Sequence, residues 1–415
     1  MVGYQHTRQL SGWSQEPSGT GRSLAALDGL NFFLADVQNG LGPFLGIYLV
    51  NQPGWNAASI GLMLTLSVAT TLAVQTPTGA LIDRTSHKRA LIIGATVLVS
   101  AGAVIVTIAP SFAVVATAQL VIGVAGAVFP PAIAAIALGL VGPAGYTYRT
   151  GRMQAFNHAG NVISAAAVGI AGYLVSIRAS FWLASVLGIF VIATALTINR
   201  RLIDHDLARG FVPQDTGTGP SSGFAVLLRC RPLLVLAVSI LLFDLANDAM
   251  LPIIGQKLAA HHAGQGMLFQ AALIIVAQMV MLLMAILVAH RADRWGRKAI
   301  FLAAFLALPL RGVLFALATN STCTVAIQVL DGVGTGILWA LLPIMVADLT
   351  RGTGRYNVAF GAVTTMQGIG AALSTTLAGA VVVLGGYDLA FLTLTGIALL
   401  ALGVFCFGVP ETSTP

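Results

Sequence analysis

The sequence predicts an all-α integral membrane protein that crosses the bilayer twelve times and is built from two similar halves. Three observations support this prediction. The composition is too apolar for water: 57% of the 415 residues are hydrophobic and 8% are charged, whereas soluble globular chains carry about 25% charged residues. The few charges are concentrated in short turns between long apolar stretches, and one such charged turn occurs twice, about 210 positions apart.

The twelve predicted spans follow from the length that a membrane helix requires. About 30 Å of hydrocarbon is crossed at about 1.5 Å per residue, so each span needs roughly 20 predominantly apolar residues. Charged, Pro-rich or Gly-rich breaks divide the chain into twelve segments of this kind. In chain order they are 24–50, 56–82, 88–109, 112–141, 151–177, 180–199, 232–258, 266–290, 298–318, 322–349, 356–384 and 388–409.

The distribution of basic residues predicts the orientation. Most of the 21 Lys and Arg residues lie in the turns after even-numbered spans, in the central linker and in the amino tail. Positive loops stay on the cytoplasmic side, so both termini are expected in the cytoplasm of a multi-pass plasma (bacterial inner) membrane protein. The predicted organisation is a cytoplasmic amino tail 1–22, an N-terminal six-helix bundle 23–199, a cytoplasmic linker 200–231, a C-terminal six-helix bundle 232–409 and a carboxyl tail 410–415.

The charge distribution and the cysteine content also indicate which classes of partner to expect. The formal net charge of +7 comes from basic residues spread over separate loops, which does not form the concentrated patch that nucleic acid requires. The three cysteines are scattered without metal-ligand spacing. We therefore expect contact with the lipid bilayer, no nucleic-acid partner, no cofactor, no metal site and a monomeric chain.

Matching residues in the two halves indicate a duplication. Pro43 and Gln119 correspond to Pro252 and Gln328, each pair 209 positions apart. Two further pairs lie 210 apart, Gly160 with Gly370 and Gly169 with Gly379. These offsets agree with the spacing of the charged turns, so the agreement extends over much of each half.

The charged turns carry a resemblance to a known family. The first reads Gly79-x-x-x-Asp83-Arg84 and ends in Lys88-Arg89, and the second runs from Asp293 to Lys298. This pattern resembles the helix 2–3 motif of the major facilitator superfamily (MFS), although Ser86 and Ala289 stand where that family has Gly. The resemblance covers residues 24–409 and is supported by Pro410-Glu411-Thr412 at the end of the last span.

The resemblance implies a fold and a mechanism. It implies two pseudo-symmetric six-helix bundles around a central cavity, rocking so that the cavity opens to each side in turn. It also implies a cytoplasmic gate near the charged turns, and Asp348 is placed there because it ends span 10. The predicted gate residues are Gly79, Asp83, Arg84, Asp293, Arg294, Arg297 and Asp348.

Carboxylates inside the spans are candidate proton-coupling groups. A charge at mid-bilayer costs about 2.5–3.5 kcal/mol on insertion scales, so such residues are rarely idle. Asp36, beside Asn39 in span 1, and Asp244, beside Asp248 in span 7, lie at similar depths. They are interpreted as protonatable groups facing the cavity, or as the counter-charge for a cationic solute. The alternative is interhelical hydrogen bonding in a permanently uncharged interior.

A second pair of intramembrane charges has a structural explanation. Arg311 in span 9 and Asp331 in span 10 lie near mid-membrane on consecutive antiparallel helices. A buried ion pair is the favoured interpretation, and a coupling role for Asp331 is the alternative.

Amide and aromatic side chains in spans 1, 4, 5, 10 and 11 are candidate solute contacts. Asn157 and Asn161 share one face of span 5, with His158 beside them as a possible proton relay. Interhelical hydrogen bonding is the alternative role for amides, and core packing is the alternative role for the aromatics. The cavity candidates are Asn39, Asn157, Asn161, Gln367, Phe129 and Trp339.

These features predict a secondary active transporter and no enzyme. No phosphate-binding Gly-x-x-x-x-Gly-Lys-Ser/Thr loop is present. Proton-coupled export of a small organic or siderophore-like compound is the leading hypothesis. The alternatives are a proton-linked uptake symporter for a small polar metabolite, a metal-ion carrier using Asp36, Asp248 and His158, and a non-transporting membrane sensor. Two patterns of drug/proton antiporters are absent, since Gln119 replaces a helix 4 Arg and helix 5 reads Gly160-Asn161-Val162-Ile163-Ser164-Ala165.

Overall fold

The computed structural model describes residues 20–35, 37, 41–208, 230–261, 264–350 and 356–411. The helices of the amino-terminal half are α1 (Thr20–Ala35), α2 (Leu41–Val50), α3 (Ala57–Arg84), α4 (Lys88–Ile108), α5 (Phe112–Gly126), α6 (Phe129–Leu174), α7 (Ile177–Thr197) and the short α8 (His205–Ala208). The helices of the carboxyl-terminal half are α9 (Arg231–Asn247), α10 (Met250–His261), α11 (Gly266–Trp295), α12 (Arg297–Leu317), α13 (Ser321–Ile327), α14 (Val329–Leu349) and α15 (Tyr356–Gly408).

The predicted all-helical membrane fold is confirmed, and the helices are consistent with the twelve predicted spans. Nine helical stretches of the described residues are long and apolar enough to cross a bilayer. Two long helices each change direction at a glycine with positive φ, α6 at Gly142 (φ 66°) and α15 at Gly386 (φ 82°). Glycine adopts this conformation without steric cost, so one continuous helical run serves as two spans.

Prolines account for the interruptions within spans 4 and 7. Proline lacks the amide hydrogen that would bond to the carbonyl four residues earlier, and its ring clashes with that carbonyl. Helix α5 ends at Gly126, four residues before Pro130. Helix α9 ends next to Asp248, which lies four residues before Pro252. Pro343, by contrast, does not interrupt α14, which continues past it.

Side-chain caps begin three helices on one side of the molecule. Asn56 and Ser59 form reciprocal hydrogen bonds at the start of α3, Ser176 accepts from Ala179 N at the start of α7, and Asn320 accepts from Thr322 N at the start of α13. These caps satisfy amide groups that have no partner within the helix. We call this side the opposite face. The basic face is the other side, where α3 ends at Arg84 and α11 ends at Trp295.

Each half has its own hydrophobic core. One core contains only residues between Leu233 and Val409 and includes a cluster in which the Phe305 and Phe405 rings stack and Phe301 meets both of them edge-on. The other core contains only residues between Ala26 and Ala208. These two cores share no residue, and a smaller buried cluster that includes Ile47, Val168 and Met267 joins the two halves.

The two bundles meet tightly near the opposite face through glycines. Gly379 in α15 packs on the backbone carbonyl of Ala57, and Gly169 in α6 packs on Met267 and Ala271. Small residues let helix backbones approach closely in a membrane, where dispersion contacts drive association. Gly379 and Gly169 are 210 positions apart in the repeat, as are Met267 and Ala57, so the interface itself is pseudo-symmetric.

The repeated glycines also set the packing inside each bundle. Gly160 lies against the carbonyl oxygen of Phe32, and Gly370 lies against that of Leu241. A side chain at either glycine would collide with main chain, which cannot move aside. The 210-residue spacing seen in the sequence therefore reflects one helix contact that is built twice.

Candidate functional site

A cavity of about 670 Å³ lies between the two bundles, and we call it the amide cavity. It contacts α1, both parts of α6, α11 and α14, and extends toward the basic face, where the second part of α6 begins. Its lining residues are Asn31, Pro130, Ile133, Ala134, Tyr146, Thr150, Met153, Gln154, Asn157, His158, Asn161, Gln278, Met281, Ala285, Gly336, Trp339 and Ala340.

Several polar side chains of the amide cavity form hydrogen bonds within its wall. Asn161 Nδ2 donates to Asn157 Oδ1 at 3.1 Å, and Asn157 Nδ2 reaches Asn31 O at 3.4 Å. His158 Nδ1 lies 2.6 Å from Gln278 Oε1. Because an amide oxygen only accepts, His158 Nδ1 is the donor. This last bond joins α6 of one bundle to α11 of the other.

Trp339 forms an aromatic wall of the amide cavity. Its side chain is 57% exposed, although α14 is otherwise well buried over much of its length. The structure therefore brings four of the sequence-predicted site residues to one cavity: Asn157, His158, Asn161 and Trp339.

Phe129 does not belong to this wall. It is fully buried in the core of the amino-terminal bundle, so its placement among the cavity residues is wrong. Phe129 begins α6 directly before Pro130 and Pro131, and this turn of the helix directs the aromatic ring inward. Pro130 itself lines the cavity instead.

A second cavity, of about 310 Å³, lies closer to the opposite face, and we call it the carboxylate cavity. Asp248 lines it, together with Gln119 and mostly apolar residues of both bundles. Asp248 occupies the turn between α9 and α10, where the helical hydrogen-bond ladder is interrupted before Pro252. Thus the helix break exposes the carboxylate to the space between the bundles.

Asp244 lies one turn earlier and is buried instead. Its side chain is 6% exposed and lines neither of the two cavities. Gln367 Nε2 donates to Asp244 Oδ1 at 3.3 Å. Gln367 likewise lines neither of the two cavities. The expectations that Asp244 and Gln367 face the cavity are therefore wrong for this conformation. Asp36 and Asn39 lie outside the described residues.

Arg311 and Asp331 lie side by side in the carboxyl-terminal bundle. Arg311 Nη1 is 2.5 Å from Asp331 Oδ1, and its side chain is fully buried. Nη1 also donates to Asn247 Oδ1 at 2.7 Å, while Gln328 Nε2 donates to Asp331 Oδ2 at 2.8 Å. Asn247 directly precedes Asp248, so this ion pair is anchored to the helix break that positions the cavity carboxylate.

The predicted gate residues lie at the basic face. Asp83, Arg84 and Arg294 are exposed, Gly79 is half-buried, and the side chain of Asp293 is outside the description. Arg297 forms an ion pair with Asp348, and both belong to the carboxyl-terminal bundle.

Three functional candidates were missed from the sequence. Arg149 Nη2 and Arg152 Nε bind the two carboxylate oxygens of buried Asp28 at 2.5 and 2.9 Å, tying the start of α6's second part to α1. From the sequence, both arginines were interpreted only as basic residues that indicate the orientation of the chain in the membrane. Gln278 was also missed, although an amide in the apolar segment 266–290 was a signal that could have found it.

The described residues contain no group of three or more His, Cys, Asp or Glu side chains arranged to hold a metal ion.

Comparisons with known proteins identify relatives along nearly the whole chain. A sequence profile of the Major Facilitator Superfamily matches residues 27–247 and 233–415. Two Mycobacterium tuberculosis proteins, each described as an uncharacterized MFS-type transporter (Rv2456c of strain H37Rv and MT2531 of strain CDC 1551), are 44% identical over 393 residues, or 94% of each chain.

The fold is also similar to solved structures. The crystal structure of nucleoside transporter NupG has a TM-score of 0.76 at 16% identity and covers 92% of this chain and 98% of its own. A mutant of NupG gives a TM-score of 0.77 at 15% identity. At this level of identity the similarity concerns the fold alone.

Proposed function

Because this chain belongs to the Major Facilitator Superfamily, we propose that it exports a small organic or siderophore-like compound in exchange for protons. The exchange proceeds by alternating access. The bundles pack together near the opposite face, and the amide cavity extends toward the basic face. This arrangement corresponds to one end state of a rocking cycle.

The observation that carries the proposal is the separation of two cavities between the bundles. The amide cavity offers hydrogen-bonding groups for a solute, and the carboxylate cavity holds Asp248. Asp248 is the only acidic side chain on the described walls of the two cavities. The proposed proton site and the proposed solute site therefore lie in different cavities.

Protonation of Asp248 supplies the coupling step. A charged carboxylate between two apolar bundles is costly, so the charged form favours a hydrated cavity and the neutral form allows closure. A proton therefore shifts the equilibrium between the two end states by its different affinity for them. Asp331 and His158 are the secondary candidates for proton transfer, and Asp36 is a further candidate from the sequence.

The orientation follows from the basic residues. Loops rich in Lys and Arg remain in the cytoplasm, which makes the basic face cytoplasmic and places both termini there, in the bacterial inner membrane. In the alternate end state Asp83, Arg84, Asp293 and Arg294 come together as the cytoplasmic gate.

Uptake symport of a small polar metabolite is the second candidate. Gln119 lines the carboxylate cavity at the position where many antiporters carry an arginine, and span 5 lacks the antiporter signature. Both features favour a symporter over a conventional drug exporter.

Opposed proton gradients separate the two directions. Inside-out membrane vesicles containing the protein are given a panel of labelled probes: uracil, glucose, citrate and desferrioxamine B. Export predicts accumulation of a probe only when the vesicle lumen is acidic, because protons leave as the solute enters. Uptake symport predicts accumulation only when the bath is acidic.

Asp248→Asn tests the coupling itself. We expect the variant to lose gradient-driven accumulation and to keep exchange of labelled for unlabelled probe, because only the titratable group is removed. The matched control is Asp388→Asn, an exposed carboxylate that pairs with Lys257 near the opposite face. Full gradient-driven accumulation by Asp248→Asn contradicts the proposed proton site.

A further inference from the structure

The described wall of the amide cavity carries many polar groups but no formal charge. Its polar side chains are amides, two hydroxyls, an imidazole and an indole. A charged solute inside such a cavity would lose hydration without gaining a counter-charge, which is strongly unfavourable. The wall therefore favours an uncharged solute.

The hydrogen bonds within the wall of the amide cavity leave some of its polar atoms available to a solute. Asn161 uses its Nδ2 on Asn157, and Gln278 uses its Oε1 on His158. Within the described part of the chain, Asn161 Oδ1 and Gln278 Nε2 have no hydrogen-bond partner, and the same is true of the exposed Gln154 amide. The wall thus offers an acceptor from one bundle and a donor from the other.

A cyclic amide is complementary to such a pair. Its N–H and C=O are adjacent and lie in the ring plane, so one edge of the molecule donates and accepts together. Side-chain amides have the same planar donor and acceptor groups. A solute held by Asn161 and Gln278 would bridge the two bundles.

Trp339 adds a flat surface for the ring. Its indole is 57% exposed and faces the cavity, while Pro130, Ile133 and Ala134 contribute an apolar surface to the wall. Flat rings stack favourably on an indole in offset geometry. The volume of about 670 Å³ lies within the usual range for small-molecule sites.

We propose that the amide cavity binds an uncharged, planar cyclic amide or imide, stacked on Trp339 and hydrogen-bonded to Asn161 and Gln278. This inference rests on the proposed transport function and names the solute class for that cavity. Hydrogen bonding to both bundles makes the solute itself a link between the two halves.

The test is equilibrium binding of tritiated uracil to the purified full-length protein. Uracil is an uncharged cyclic imide, and three competitors differ from it: 1,3-dimethyluracil lacks the N–H donors, orotate carries a carboxylate, and glucose lacks both the planar ring and the amide groups. We expect uracil to bind and unlabelled uracil to compete at least tenfold better than any of the three. Stronger competition by orotate or glucose than by unlabelled uracil overturns the proposal. The absence of uracil binding at about 10 mM, a concentration that would detect even weak affinity, also overturns it.

Variants locate the site. Trp339→Leu is expected to weaken uracil binding about tenfold, whereas Trp339→Phe retains stacking and stays within about threefold of the wild type. Asn161→Leu is expected to weaken binding about tenfold by removing the acceptor. Gln75→Leu is the control, because Gln75 is exposed on α3 and does not line the amide cavity. Equal affinities for Trp339→Leu and the wild type contradict this site.

Binding and transport can fail separately. Uracil binding that requires Trp339 but is accompanied by no proton-driven flux would refute the proposed function and leave the solute class intact. Proton-driven flux of another probe without uracil binding would do the reverse.

Discussion

His158 Nδ1 lies 2.6 Å from Gln278 Oε1, so one hydrogen bond connects the two bundles within the wall of the amide cavity. The bond joins α6 to α11, the same two helices that touch nearer the opposite face through Gly169 and Met267. It is therefore one of the contacts between the bundles in the conformation in which the opposite face is closed.

Removing this bond is expected to shift the equilibrium between end states. A hydrogen bond contributes about 0.5–1.5 kcal/mol net, so Gln278→Leu should raise the population open at the opposite face about twofold to tenfold. Spin labels at Val175 and Thr322, both exposed near that face, measure the distance between bundles. The control is Gln75→Leu. Identical distance distributions for Gln278→Leu and the wild type would show that the bond does not hold the bundles together.

Closure at the opposite face is expected to require Gly379. A methyl group at this position would collide with the carbonyl oxygen of Ala57 across the interface, and main chain cannot yield as a side-chain tip can. We expect Gly379→Ala to lengthen the Val175–Thr322 distance and to slow transport severalfold. Gly396→Ala on the same helix is the matched control, because an added methyl there meets open space. Closure and transport that survive Gly379→Ala would contradict the tight-packing account.

Asp244 and Asp248 are expected to differ in their effect on coupling. Asp248 lines the carboxylate cavity, whereas Asp244 is buried against Gln367. An amide at position 244 can still hydrogen-bond to Gln367, so Asp244→Asn should retain at least about half of the gradient-driven accumulation. Asp248→Asn should lose it. Vesicle uptake under one imposed gradient compares the two, and a greater loss for Asp244→Asn would reverse this ranking.

The buried ion pair is expected to be essential as a pair. Leaving either Arg311 or Asp331 alone strands a buried charge, which typically costs about 3–5 kcal/mol. Arg311→Met and Asp331→Leu should each lower the melting temperature of the purified protein markedly, and the double variant should recover most of the loss. For comparison, Asp388→Asn, which removes the exposed partner of Lys257, should cost about 1 kcal/mol or less. A double variant as unstable as the sum of the two single variants would mean that the two residues act independently.

Much of the fold could be predicted from the sequence because the bilayer constrains each segment separately. Apolar length sets where a span begins and ends, and charge sets which turns stay outside the hydrocarbon. The duplication could also be predicted, because Gly160 and Gly370 occupy equivalent positions in the two halves. Each makes the equivalent helix contact, Gly160 with Phe32 and Gly370 with Leu241. These signals are local or periodic, so they survive in a one-dimensional pattern.

The candidate site was only partly predictable. Asn157, His158 and Asn161 share one helix face and reach the amide cavity together, as their spacing suggested. Their partner Gln278 comes from the other bundle, 120 positions away from His158, and no periodicity links the two. The same holds for Asp28, whose partners Arg149 and Arg152 lie in a different part of the chain.

The sequence by itself determined the membrane-spanning helices, their repeat and the family to which the chain belongs, because hydropathy, charge and motif spacing act along the chain. Only the tertiary structure decided which polar groups face the space between the bundles. Asp244 and Asp248 lie on the same helical face, yet the helix break before Pro252 presents one to a cavity and leaves the other buried. Such choices depend on how two bundles pack against each other, and packing is a property of surfaces brought together from distant parts of the sequence.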